Sequence, residues 1–292
     1  IMPSLVGSEM CIRDSDYAGR MSSTTVVLGG GGLAGIGWLT GVLAALEETG
    51  ALTLADADTV IGTSAGSAVG AAVLQSGSAV TQFDVMVRAT RRNTELSPSS
   101  DLAAVMTGIV AINESDADAA DKARQLVELS RRYSRTDPAA RRAVVASRLP
   151  SQQWPENLQV TALRADGELV AFTSGTGVGI VDAVAASCAV PGVWPAVHVD
   201  DADYLDGGSL SATNAHLAAD ADRVIVLAPM ADLGGAPAPE VAAVLDRATV
   251  IRPSERAAAG FGPNPLDPDI RGVAAVLGYE DGYAVATTGD MR

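Results

Sequence analysis

Apolar residues recur along this chain in runs that alternate between two spacings. Residues 24–28 (TTVVL) form a β-branched apolar run ending in four glycines, Gly29 to Gly32, and residues 36–48 then place Leu39, Val42, Leu43 and Leu46 at helical spacing. The pattern predicts strand, glycine loop, helix. A second apolar run, 58–61, stops at Gly62, and from Ala65 a small-residue segment to Gln75 can pack tightly as a helix. Alternation of this kind implies parallel strands joined by helical crossovers, with ligands gathered at the carboxyl ends of the strands. Between 79 and about 150 no strand is predicted, and 103–112 and 119–133 carry helical patterns. Strands resume at 158–163 and 169–173 around an Ala165-Asp166-Gly167 turn, then at 199–205 and 223–227; helices are expected over 180–187, 240–247 and 270–286. The expected class is α/β.

Composition narrows the function classes. Of 292 residues 48% are hydrophobic and 19% charged, which predicts a large packed core rather than a disordered chain. The 35 acidic residues outnumber the 20 basic ones for a net charge of -15, so a phosphate-neutralising groove for nucleic acid is not expected. The uncharged stretches 21–46 and 59–83 have bilayer length but are dense in Gly, Ser and Thr, and no membrane span is predicted. Cys11 and Cys188 are too few and too far apart for a disulfide framework or a thiolate metal cage, which suits a reducing cytoplasm. Residues 1–20 read as a non-native or disordered leader, because IMPSLVGSEMCIRDS resembles a translated sequencing-adaptor remnant, with Met21 the expected start. The rest, 21–292, reads as one domain with a helical insert at about 79–150. In that insert Arg88, Arg91, Arg92, Arg131, Arg132, Arg135, Arg141 and Arg142 cluster, a solvated helix face by the usual meaning, with a partial lid or docking surface as the alternative.

Two glycine motifs carry the candidate chemistry. Gly30-Gly31-Gly32-Leu33-Ala34-Gly35 matches G-x-G-x-x-G between strand and helix, the context of a dinucleotide site, yet the end of the next strand lacks the carboxylate that would hold a ribose. What stands there is Gly62-Thr63-Ser64-Ala65-Gly66, a G-x-S-x-G nucleophile elbow in which Gly62 and Gly66 let strand and helix pass closely and Ser64 is the attacking group. Adjacent glycines at 30–32 leave backbone N–H groups free to face a developing oxyanion; the same donors could cradle phosphate. A serine needs a base. Asp206, at a predicted strand end before Gly207 and Gly208, is the best acid candidate. Of the two histidines, His198 falls in an alternating strand run, and His216, on a helix expected near Thr213, would serve only a Ser-His-Asp triad. The carboxylates Asp200, Asp201, Asp203 and Asp206 fail as a calcium loop, because Leu205 and Ala212 occupy ligand positions. No metal or cofactor is expected.

The glycine loop, the G-x-S-x-G and the Asp-Gly-Gly, in this order, resemble the patatin-like phospholipase family, as does the run AASCAVPGVWP at 185–195. The resemblance implies a three-layer αβα fold with a central, mostly parallel sheet and a helical insertion. It implies that Ser64 is the nucleophile, Asp206 its base in a dyad without histidine, and Gly30 to Gly32 the oxyanion loop. The activity implied is hydrolysis of lipid-type carboxylic esters through an acyl-enzyme, with a lipid or other acyl ester as substrate; the net charge of -15 predicts transient membrane contact at most. One departure stands out: many members carry Arg or Lys where this chain has Ala34. From a reference pKa of about 3.9, Asp206 would be ionised at neutral pH and a weak base.

Overall fold

Eight strands form one mixed sheet among the residues that the computed structural model describes, 22–88, 95–98 and 100–289. The leader, Cys11, Arg91 and Arg92 lie outside them. The strands are β1 (Thr24–Leu28), β2 (Thr59–Thr63), β3 (Leu158–Arg164), β4 (Leu169–Phe172), β5 (Val197–Val199), β6 (Ala202–Asp206), β7 (Arg223–Leu227) and β8 (Thr249–Ile251). Their order is β5-β6-β3-β2-β1-β7-β8, with β4 also on β3. The pairs β3–β2, β2–β1, β1–β7 and β7–β8 are parallel; β4 and β6 join β3 antiparallel, as β5 joins β6.

The helices are α1 (Gly32–Glu48), α2 (Ala65–Ser76), α3 (Ala79–Arg88), α4 (Leu102–Asn113), α5 (Ala119–Tyr133), α6 (Pro138–Arg148), α7 (Ile180–Ser187), α8 (Pro239–Leu245), α9 (Glu255–Gly260) and α10 (Ile270–Thr288). Side chains alternate across the sheet, and both faces are covered, so the central strands read as continuous apolar runs. Val26, Leu28, Val60 and Val160 pack with α1, α2, α7 and α10 on one face. Val27, Ile61 and Val226 pack with α8 on the other, where Leu163 and Leu205 meet α4 and α5. The result is the expected three-layer arrangement, a mostly parallel sheet between helices.

Helix α1 is buried from Leu33 to Leu46, which is why its sequence shows little amphipathic bias. It crosses α10 at backbone contact: a Cβ on Gly41 would collide with the Ala275 carbonyl, and one on Gly278 with that of Trp38. The segment expected as a helical insert, about 79–150, holds α3 to α6. Three of these helices begin with an aspartate whose carboxylate accepts an amide of the first turn: Asp101 from Ala104 at 3.1 Å, Asp118 from Asp121 at 2.8 Å and Asp137 from Ala140 at 3.1 Å. Each cap contributes about 1 kcal/mol.

Four local expectations change. Helix α1 starts at Gly32 rather than at Ile36, and this last glycine of the loop enters the helix with φ 62°. The strand expected over 199–205 is a hairpin, because Asp200 turns the chain with φ 53° and separates β5 from β6. The helix expected near Thr213 is a short 3-10 turn, Ala215–Ala218. Strand β8 and helix α9 were not expected; three and six residues are too short to show a period.

Candidate active site

Strand β3 brings two chain segments together. Its Thr161 pairs with Thr63, the last residue of β2, and its next residue, Ala162, pairs with Asp206, the last residue of β6. Because β2 runs parallel to β3 and β6 antiparallel, the ends of the two strands converge on one point of β3. At that point β2 turns sharply into α2 through Ser64, whose φ of 50° and ψ of -113° lie outside the ordinary regions for an L-residue. Such a residue costs on the order of 1–3 kcal/mol and persists only when its surroundings fix it. Here the Ser64 amide donates to Ser187 Oγ at 2.8 Å, and its carbonyl accepts the Ser67 and Ala68 amides and the Ser67 hydroxyl. The flanking glycines are required by space: a Cβ on Gly62 would lie 2.6 Å from Ser67 Cα, and one on Gly66 would overlap the Leu28 carbonyl.

The Ser64 hydroxyl donates to Asp206 Oδ2 at 2.6 Å. The other carboxylate oxygen accepts the Gly208 amide at 2.7 Å, and the Asp206 amide donates to the Ala189 carbonyl at 3.0 Å. Both side chains are buried, Asp206 with 4% of its surface exposed. Burial raises the Asp206 pKa to about 7, against the Ser64 hydroxyl, the Gly208 amide and the charge of Arg141, each of which lowers it. The expectation of an ordinary carboxylate is corrected: Asp206 titrates near neutrality, because the fold removes it from water. No imidazole intervenes between serine and aspartate. His198 is an exposed β5 residue with Nδ1 2.9 Å from Asp203 Oδ1, and His216 sits on the 3-10 turn with its Nδ1 unpartnered among the described residues.

The glycine loop divides by hydrogen bonding. The Gly30 amide donates to the Ala212 carbonyl at 2.8 Å, so it is occupied within the fold. The Gly31 and Gly32 amides meet no acceptor among the described residues, nor does that of Ala65, which follows Ser64. Gly35 donates to Gly31 and packs on Ala65, holding the loop against the elbow. Gly207 lies against Thr161, where a Cβ would come 2.6 Å from its carbonyl oxygen.

The sequence of residues 26–219, well over half of the chain, matches the family described as patatin-like phospholipase. The chain belongs to that family. No curated protein matches it in sequence. Among solved structures, VipD from Legionella pneumophila is similar at 14% identity with a TM-score of 0.50, over 91% of this chain and 67% of VipD. The type III effector ExoU is similar at 14% identity and TM-score 0.42, over 93% of this chain and 54% of that one. The complex of full-length SpcU with full-length ExoU from the type III secretion system of Pseudomonas aeruginosa gives 16% identity and TM-score 0.42, over 93% and 53%. The chain thus spans about half the length of ExoU. The likeness to VipD shows the fold.

In this family member a cleft of about 140 Å³ opens at Ser64 and Asp206. Gly30, Gly31 and Gly32 form one side, and Leu102, Met106 and Ile109 of α4 another, so the insert walls the site. Most of its remaining lining, including Val190, Met230 and Leu266, is apolar, with Ser209 and Asn264 as polar side chains. Among the described residues no helix is long and apolar enough to cross a membrane, and no group of His, Cys, Asp and Glu is placed to hold a metal ion.

Sequence reasoning missed several residues of the site. Asn214, itself at φ 51°, donates from Nδ2 to Thr63 Oγ1 at 3.2 Å and to the Gly207 carbonyl at 3.0 Å, tying the elbow to the aspartate turn. Thr63 and Thr161 share a 2.8 Å hydrogen bond beneath it. Ser187 was visible only as part of a family-like run. The arginine cluster also divides: Arg88, Arg131 and Arg142 pair with acids at the surface, whereas Arg141 is buried near the catalytic candidates.

Proposed function

We propose that this protein is a serine hydrolase that cleaves lipid-type carboxylic esters through an acyl-enzyme on Ser64, with Asp206 as its base. The observation that carries the reading is the 2.6 Å hydrogen bond from Ser64 Oγ to Asp206 Oδ2 at the floor of an apolar cleft. As Ser64 Oγ attacks the carbonyl carbon, its proton passes to Asp206 Oδ2. The charge that develops on the carbonyl oxygen is taken by the amides of Gly31, Gly32 and Ala65 and by the amino end of α2. Collapse of the tetrahedral intermediate breaks the ester C–O bond, and Asp206 returns the proton to the departing alcohol. Water then attacks the acyl-enzyme with Asp206 again as base.

A pKa of about 7 suits both roles, since a group poised near the working pH gives and takes a proton with comparable ease. The strained backbone of Ser64 and the three unoccupied amides support a preformed site rather than one assembled on binding. The Gly30 amide is not assigned as an oxyanion donor, because the Ala212 carbonyl takes it; Gly30 serves to keep the loop narrow beside Ser64.

The apolar cleft accepts an acyl chain, and the proposal includes a cytoplasmic setting and only transient contact with membranes. Ester panels of increasing acyl length, with phospholipids included, test the substrate class in the wild type and in Ser64→Ala. Turnover that rises with chain length and vanishes in the variant is expected. A folded protein that hydrolyses no ester in the panel overturns the proposal.

A further inference from the structure

The carboxylate of Asp206 is held from behind by one peptide unit, the bond between Gly207 and Gly208. The N–H of that unit, on Gly208, donates to Asp206 Oδ1 at 2.7 Å, and its carbonyl, on Gly207, accepts from Asn214 Nδ2 at 3.0 Å. Asp206 Oδ2 takes the Ser64 hydroxyl. A line of hydrogen bonds thus runs from the Asn214 carboxamide through a planar peptide and a carboxylate to Ser64. Neither glycine has a side chain with which to fix the plane of the peptide, so the bonds at its two ends set its orientation.

The surroundings of Asn214 fix which way its carboxamide points. The Gly207 carbonyl can only accept, so nitrogen must face it. On the elbow side Thr161 Oγ1 donates to the Gly62 carbonyl at 3.4 Å, Thr63 Oγ1 lies 2.8 Å from Thr161 Oγ1, and Asn214 Nδ2 lies 3.2 Å from Thr63 Oγ1. Each hydroxyl has one proton, so Thr63 donates to Thr161 and accepts from Asn214. The two protons of Nδ2 are therefore divided between the elbow and the aspartate turn. Asn214 is buried and holds a φ of 51°, a conformation that asparagine tolerates better than most side chains. It lines neither the cleft at Ser64 nor the narrower one that meets it there beside Arg141, but a different cavity of about 500 Å³ whose lining excludes Ser64 and Asp206.

We propose that Asn214 is a positioning residue of the Ser64–Asp206 pair: by holding the Gly207 carbonyl it aims the Gly208 amide at Asp206 Oδ1, which fixes the carboxylate and turns Oδ2 to the nucleophile. The inference rests on the hydrolase reading for its catalytic meaning. A peptide whose carbonyl is already hydrogen-bonded is also a stronger N–H donor, so the same contact favours the charged carboxylate. Burial raises the Asp206 pKa to about 7, while the Ser64 hydroxyl, the Gly208 amide and the charge of Arg141 on α6 lower it. Burial also raises the pKa of the Cys188 thiol that follows α7, so that group is neutral at pH 7. Without Asn214 the Gly208 amide loses its aim, and the carboxylate loses one of the contacts that oppose burial.

The test reads the Asp206 titration directly from carboxyl carbon-13 chemical shifts, its signal being the one missing from Asp206→Asn. In the wild type its midpoint should lie at about 7. The Gly208 amide proton and the Asn214 Nδ2 protons should follow the same midpoint, and both should be flat in Asp206→Asn. Asn214→Gly keeps the positive φ without strain. There the Asp206 midpoint should rise by about one to two units, the scale of one hydrogen bond to a charged group. On esters, kcat of this variant should fall roughly ten- to a hundredfold with little change in KM, because Asn214 lines neither cleft at Ser64. Thr63→Val removes the elbow half of the network but leaves the bond to Gly207, and should keep the Asp206 midpoint.

An unmoved Asp206 midpoint in folded Asn214→Gly overturns the proposal. So does an equal rise in Thr63→Val, which would mean a general loosening of the elbow. If Asn214→Gly does not fold, the wild type decides: Asn214 Nδ2 protons that follow the Asp206 titration support the proposal, and protons that ignore it overturn it. A protein that hydrolyses no ester removes the hydrolase reading alone, since the titrations still decide whether Asn214 positions Asp206.

Discussion

Replacing Asp206 by asparagine should change how stability depends on pH as well as abolish turnover. In the folded protein the Asp206 pKa is raised from a reference of 3.8 to about 7, chiefly by burial. A carboxyl group with a raised folded-state pKa binds its proton more tightly when folded. Its contribution is therefore fully present below about pH 4 and is lost as pH rises through 7. A shift of roughly three units at about 1.4 kcal/mol each corresponds to about 4 kcal/mol between those limits. The side chain is almost wholly inaccessible, so solvent screening removes little of this. Urea unfolding of the wild type and of Asp206→Asn, at intervals from pH 4 to 9, isolates the effect because the other ionisable groups are common to both. The difference in unfolding free energy should drift by about 4 kcal/mol in favour of the variant as pH rises from 4 to 8, and then level off. Over the same range kcat/KM of the wild type should climb with an apparent pKa near 7, since the free enzyme needs the carboxylate. Parallel stability curves, or activity already at its plateau at pH 5, would refute the claim that burial sets this group near neutrality.

Other perturbations separate the parts of the site. Gly31→Val places a Cβ 2.8 Å from both Gly35 Cα and Pro229 Cβ, so the loop must shift; kcat should fall by about two to three orders of magnitude with a smaller change in KM. Met106→Trp narrows the apolar cleft from the α4 side and should move the optimum of a chain-length panel towards shorter acyl groups; an unchanged optimum would place the chain elsewhere. His216→Ala should retain wild-type turnover, because His216 lies on the 3-10 turn and lines neither cleft at Ser64. A loss as severe as that of Ser64→Ala would restore the triad.

The parts of the molecule that were legible in sequence are those set by a few adjacent residues. Gly62 and Gly66 bracket Ser64 because the elbow has no room for a Cβ, and that local demand is written as G-x-S-x-G. The β-branched runs of β1 and β7 are buried on both faces, so their strands were readable without any partner strand. Features made by distant segments were not. Arg141 belongs to a helix whose exposed face carries Arg142, and helical spacing alone does not reveal that one guanidinium turns beneath Trp194. The Asp206 pKa depends on how completely α7, β3 and the glycine loop exclude water from it. The 199–205 segment looks like one strand because an aspartate at φ 53° leaves no apolar signal. Gly30, Gly31 and Gly32 are equivalent as letters, and only the Ala212 carbonyl distinguishes the first.

The central claim is that Ser64 is a nucleophile activated by Asp206. It is tested most directly by intact-protein mass spectrometry after brief exposure to a fluorophosphonate, followed by peptide mapping, for the wild type, Ser64→Ala and Asp206→Asn. The account predicts one adduct per wild-type chain, mapped to Ser64, none on Ser64→Ala, and labelling slowed by at least a hundredfold in Asp206→Asn, in keeping with the loss of one member of a catalytic unit. A folded wild-type protein that stays unlabelled, an adduct on another residue, or undiminished labelling of Asp206→Asn would contradict it.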